Sequence, residues 1–188
     1  MSQAEKQQVD LSNASHITHV AVEHVVVSSN CSYEHIIRSL EKRLGLPANW
    51  EVLPRQLSAM KASWEQVAQT TQALIGTSGF TTFVKMEQGI LLSLTGKRKR
   101  ITQYAIGNHL IGVHMIEQVP EVGLYAPPRL LVYEDYEGRA YVAYDRITWL
   151  VAQYHNEEVT SIAQVVDQKL DELVRAVTDN EQETNFAS

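Results

Sequence analysis

Cys31 is the only cysteine in the 188-residue chain, so an internal disulfide framework is excluded. No apolar run is long enough to span a bilayer. Residues Met1 to Asp10 lack the hydrophobic core of a signal peptide. Positive charge is also scarce: 16 Lys and Arg stand against 22 Asp and Glu, a formal net charge of −6. A general nucleic-acid surface needs a coherent basic face to neutralise phosphates, and this balance disfavours one. Cys-x-x-Cys, His-Glu-x-x-His, Gly-x-Gly-x-x-Gly, the Walker loop and the Gly-x-Ser-x-Gly elbow are all missing. Zinc sites, nucleotide-driven chemistry and the common hydrolases thereby lose their usual support. The expectation is a cytoplasmic protein with no cofactor, no metal, and no membrane or nucleic-acid partner.

What is present suits one domain with one core. Apolar residues make up 44% of the chain and charged residues 20%, an ordinary balance for a globular protein. Residues 1–13 and 178–188 are polar and are expected to be disordered tails around a single domain over 14–177. The β-branched run His19 to Ser28 predicts a strand. Ser32 then caps a helix from Tyr33 that carries Ile36, Ile37, Leu40 and Leu44 on one face, with Gly45 as its stop. Leu57 to Ala62 suggests a short helical turn. Ser63 with Gln66 reads as a capping box for a helix lined by Trp64, Val67, Ala68, Thr71, Leu74 and Ile75 and ended by Gly76. Strands are expected at Phe80–Lys85, Ile90–Thr95 and Arg100–Ile106. A hairpin joins Arg129–Glu134 to Arg139–Tyr144 through Asp135-Tyr136-Glu137-Gly138, where Gly138 supplies positive φ. A last helix runs from about Glu157 to Val177, with Ile162, Val166, Leu170, Leu173 and Val177 as its stripe. Strands and helices mix without strict alternation, which predicts an α+β fold: a mostly antiparallel sheet covered by helices in one compact domain.

Three segments taken together are distinctive: Gln103-Tyr-Ala-Ile-Gly-Asn-His-Leu-Ile-Gly112, Gly123-Leu-Tyr-Ala-Pro-Pro-Arg-Leu-Leu-Val-Tyr-Glu134 and Tyr141-Val-Ala-Tyr-Asp-Arg146. In this order they resemble the domain-of-unknown-function family 302. There a strand ending in Gly-Asn-Pro precedes a Leu-Tyr-Ala-Pro-x-Arg strand and a Tyr-Asp-Arg-Pro-like segment. The resemblance extends from Val20 through the last helix. It implies a small α+β protein, seen typically as a dimer, with no established general activity. Two positions depart from the pattern: His109 and Ile147 stand where the family has proline. The first departure is expected to change the local backbone and to place an imidazole beside the motif.

The candidate site residues follow from these segments. Gly107-Asn108-His109 reads as a turn at a strand end. His109 and His114, five apart, fit neither a helical metal pair nor one strand face. Each is a candidate ligand-facing or acid–base group. Tyr104, Tyr144 and Asp145 are candidate assistants in proton exchange. Asn108, Arg100, Tyr125 and Arg129 are candidate ligand contacts, with Arg100 or Arg129 as partner of an anionic group. Arg129 is equally suited to a pair with Glu134 or Asp145. The basic run Lys97 to Arg100 reads as a solvated strand end, with an anion site as the alternative. The leading expectation is a small-molecule-binding homodimer. An isomerase, cyclase or lyase without cofactor is the runner-up, and a structural dimer or partner-binding module is the third reading.

Overall fold

A computed structural model describes residues 17–45, 52–96 and 99–179. The expected tail over 1–13, most of that over 178–188, and the Lys97-Arg98 half of the basic run lie outside these residues. Strand β1 (His24–Ser29) leads to α1 (Tyr33–Arg43), α2 (Leu53–Ala59) and α3 (Trp64–Gln72). Strand β2 (Thr81–Met86), α4 (Gln88–Ser93), β3 (Ile101–Gly107) and α5 (His109–Gln118) follow. A 3-10 turn over Pro120–Leu124 then precedes the hairpin β4 (Arg129–Glu134) and β5 (Ala140–Asp145). Finally α6 (Ile147–Val151) and the long α7 (Glu157–Thr178) close the chain. The five strands form one sheet in the order β1-β5-β4-β3-β2, with every pair antiparallel. The fold is α+β.

Strand register decides what is buried. Leu130 pairs with Tyr144, Val132 with Val142, and Tyr104 with Leu130, so these side chains share one face of the sheet. Helix α1 packs Ile36 and Leu40 on that face, and α7 packs Val159, Ala163, Leu170, Leu173 and Val177. The alternate residues, among them Val26, Leu131, Tyr133 and Tyr141, occupy the opposite face.

Local signals that are complete within a few residues match the structure. Ser63 Oγ accepts from the Gln66 N–H at 3.3 Å, and Gln66 Oε1 accepts from the Ser63 N–H at 2.8 Å. Gly138 has φ +81°, as its turn requires. Four expectations are corrected. The run Ile90–Thr95 is not a strand: its first part belongs to α4, which ends at Ser93. Its Ile and Leu residues follow one another without alternation, and Gly89 lies so close to the Lys99 carbonyl that a Cβ would collide with it. Helix α3 ends at Gln72, short of Leu74 and Ile75, and Trp64 is 53% exposed rather than packed. Gly45 and Gly76 do not stop helices through positive φ. Their backbones interlock instead: the Phe80 carbonyl accepts from both N–H groups at 2.9 Å, and a Cβ on either glycine would strike main chain of the other segment. Gly107-Asn108-His109 stands at a strand end as expected, but it makes a direct strand-to-helix junction in place of a turn: Gly107 ends β3, Asn108 caps α5 and His109 is its first residue.

Candidate functional site

Strand β3 runs directly into α5, and Asn108 makes the junction. Its backbone is extended, and its Oδ1 accepts from the Leu110 and Ile111 N–H groups at 3.0 and 3.3 Å, which satisfies donors a helix start leaves open. Its Nδ2 donates to the Gly79 carbonyl at 3.2 Å, so one side chain ties α5 to the loop before β2. His109 follows as the first helical residue. Its ring lies 5.6 Å from that of Phe83, tilted by 34°. Burial disfavours the charged imidazole and pulls its pKa below the ordinary value, so His109 is neutral at neutral pH.

Beside this junction is a cavity of about 210 Å³. Phe80 and Phe83 flank it from β2 and the residue before it. Ile111, Gly112 and Met115 wall it from α5, Tyr125 to Pro128 from the segment before β4, and Ile147 and Val166 from α6 and α7. The Ala126-Pro127 bond in this wall is cis. Among the described residues the lining is apolar apart from Asn108, His109 and Tyr125, whose hydroxyl accepts from Gln153 Nε2 at 3.0 Å. Gly107 is needed for closeness: a Cβ there would stand 3.3 Å from both Phe83 and Pro127. Gly112 is different. It sits inside a helix, where glycine costs about 1 kcal/mol relative to alanine, yet a Cβ at this position would meet nothing within 4 Å.

The family model for the domain of unknown function DUF302 matches residues 57–177. The chain belongs to the DUF302 family. The fold is similar to that in the crystal structure of an uncharacterized conserved DUF302 protein from Bacillus stearothermophilus. The TM-score is 0.57 and the identity 16%, over 82% of this chain and 97% of that one. No curated protein matches the chain. The match to the DUF302 model begins at residue 57, later than the Val20 expected from the sequence, and leaves β1 and α1 outside it.

The two departures from the DUF302 pattern fall at equivalent places. His109 opens α5 and Ile147 opens α6. Proline is favoured at the first helical position, because its fixed φ suits the helix and its missing N–H would have no helical partner there. Replacement by histidine therefore leaves the backbone helical, contrary to the expected local change. At Ile147 the regained N–H donates to Asp167 Oδ1 at 2.7 Å.

Of the nine candidate residues, the structure brings His109, Asn108 and Tyr125 to this cavity. The other six lie elsewhere. Tyr104 is buried and donates to Glu41 Oε1 at 3.0 Å; burial and then the carboxylate push its pKa up. Tyr144 donates to Asp171, with the same two effects raising its pKa. Both phenols hold their protons near neutrality. Asp145 meets His24 Nδ1 at 2.7 Å on the far side of the sheet. Arg100 pairs with Glu34 and Glu134 and lies over the Tyr33 ring. Arg129 is exposed at the start of β4. His114 lies round α5 from His109, its ring 6.4 Å from Trp64 in an edge arrangement. Five residues on a helix turn the side chain through more than a third of a circle, which is why the two histidines part company.

Sequence reasoning missed the apolar walls and one polar residue, Asp167. Asp167 is 4% exposed on α7 and accepts from the Ile147 and Thr148 N–H groups and the Thr148 hydroxyl. It thus caps α6 from another helix. The apolar stripe around it gave no sign of this, since the partner lies some twenty residues upstream. Among the described residues, no group of three or more His, Cys, Asp or Glu is placed to hold a metal ion, and no helix is long and apolar enough to cross a membrane.

Proposed function

We propose that this DUF302 chain is a cytoplasmic homodimer that binds a small molecule in the cavity beside Asn108 and His109. Gly112 carries the reading. A helix-interior glycine that neither a close approach nor a neighbouring atom requires leaves room on the cavity wall at the expense of helix stability. The volume of about 210 Å³ exceeds that of the roughly 150 Å³ engineered apolar cavity that takes up benzene. The part of the ligand held here is apolar and uncharged, because Arg100 and Arg129 do not line the cavity and His109 is neutral. Its polar contacts come from the neutral imidazole and the Tyr125 hydroxyl.

Binding is favoured over turnover. Of the five residues considered for acid–base chemistry, His109 alone faces this cavity. The homodimer rests on the open face of the sheet, where Val26, Val84 and Met86 are each more than 40% exposed. There the rings of Tyr133 and Tyr141 stack at 5.2 Å and 15°, which suits a second copy presenting the same apolar and aromatic patch.

Indole, as a neutral apolar probe, is expected to raise the melting temperature of the full chain. Gly112→Leu starts from a Cβ that meets no neighbour within 4 Å and is expected to abolish that rise while keeping the fold. His109→Ala is expected to reduce it only in part. Unchanged stabilisation in Gly112→Leu would move the site elsewhere.

A further inference from the structure

Two residues of the cavity wall, His109 and Val113, also line a second hollow. This outer hollow, about 580 Å³, lies between α5 and the α2–α3 pair, with Pro54, Leu57 and Val67 on its walls. His109 and Val113 are four apart on α5 and so stand one above the other on the same face. The two hollows therefore meet along a ridge two side chains wide.

The outer hollow differs from the inner one in charge. Lys61 lies on its lining together with Ser58, whereas among the described residues no Lys, Arg, Asp or Glu lines the inner cavity. Lys61 is held at φ +51°, in the left-handed region that residues with a Cβ seldom adopt. Its N–H donates to the Ser58 carbonyl at 3.0 Å as the chain leaves α2. A largely apolar chamber, a narrow uncharged ridge and a cation beyond it form a graded series.

We propose that the ligand is a linear amphipathic carboxylate. Its hydrocarbon tail occupies the inner cavity, its chain crosses the ridge between His109 and Val113, and its carboxylate meets the Lys61 ammonium and the Ser58 hydroxyl in the outer hollow. This rests on the inner cavity as a binding site and adds to it the class of ligand. The neutral His109 suits a position along the chain rather than at the anionic end.

Calorimetric titration of the full chain with octanoate and with 1-octanol tests the assignment. Octanoate is expected to bind about tenfold more tightly than octanol, the effect of one charge-assisted contact. Lys61→Asn, which keeps a residue tolerant of the left-handed backbone, is expected to remove that preference and leave octanol binding unchanged. If octanol binds and octanoate binds no better, or if Lys61→Asn keeps the preference, the carboxylate assignment is overturned while the inner cavity stands. If neither probe binds, both readings fall together.

Discussion

Asp167 shows how one side chain can hold a site it does not touch. Both of its carboxylate oxygens accept hydrogen bonds from the first residues of α6, and Ile147 at that helix start is a wall of the cavity. Asp167→Ala would leave two buried or half-buried N–H groups without acceptors, at about 2–3 kcal/mol. Denaturant unfolding should show that loss, and a smaller one for Asp167→Asn, which keeps one acceptor. His109 gives a pH prediction with a definite sign. Its folded-state pKa is lowered by burial, so the unfolded chain takes up the proton first as pH falls. The stability His109 contributes is present above the ordinary imidazole pKa and is lost as pH drops through it toward the folded value. The unfolding free energy of the wild type should therefore fall more between pH 7 and pH 5 than that of His109→Gln. Gly112→Ala is expected to stabilise the chain by about 0.5–1 kcal/mol, since the added methyl meets no neighbour. A destabilised variant would show that the glycine has a packing role after all.

At the scale of elements, the legible features were those whose cause lies within a few residues. The Ser63–Gln66 box, the Ser32 cap and the Gly138 turn each involve donors and acceptors close in sequence, so residue type and spacing were enough to read them. The cavity side of the molecule was less legible. Asn108 has the same preference for turns and for helix caps, and the apolar run after it fits a strand or a buried helix equally well. Gly45 and Gly76 were visible as punctuation, but their reason, like that of Gly89, is contact with distant backbone. Gly45→Ala should accordingly be severely destabilising. Its Cβ would strike the Leu74 carbonyl and disturb both hydrogen bonds to Phe80. A loss well beyond the roughly 1 kcal/mol expected of Ser63→Ala would separate the interlock from ordinary helix capping by thermal melts of the two variants.

At the scale of the whole molecule, the sheet has one face under α1 and α7 and another that carries Val26, Leu131, Tyr133 and Tyr141. If a second copy covers that face, Val26→Glu places two like charges in an apolar interface. Sedimentation velocity should then report a dimer for the wild type and a monomer for the variant; equal masses would remove the homodimer. The family was legible because its three segments survive as short strings of residues, and the α+β class because strand and helix periodicities differ. The sequence by itself determined those two things, together with the capped helices and the hairpin, because each is written in neighbouring residues. Only the tertiary structure decided that Asn108, His109 and Tyr125 share a cavity while Tyr104, Tyr144, Asp145, Arg100 and Arg129 do not. That choice depends on register and helix phase: a shift of one residue in a strand sends a side chain through to the opposite face.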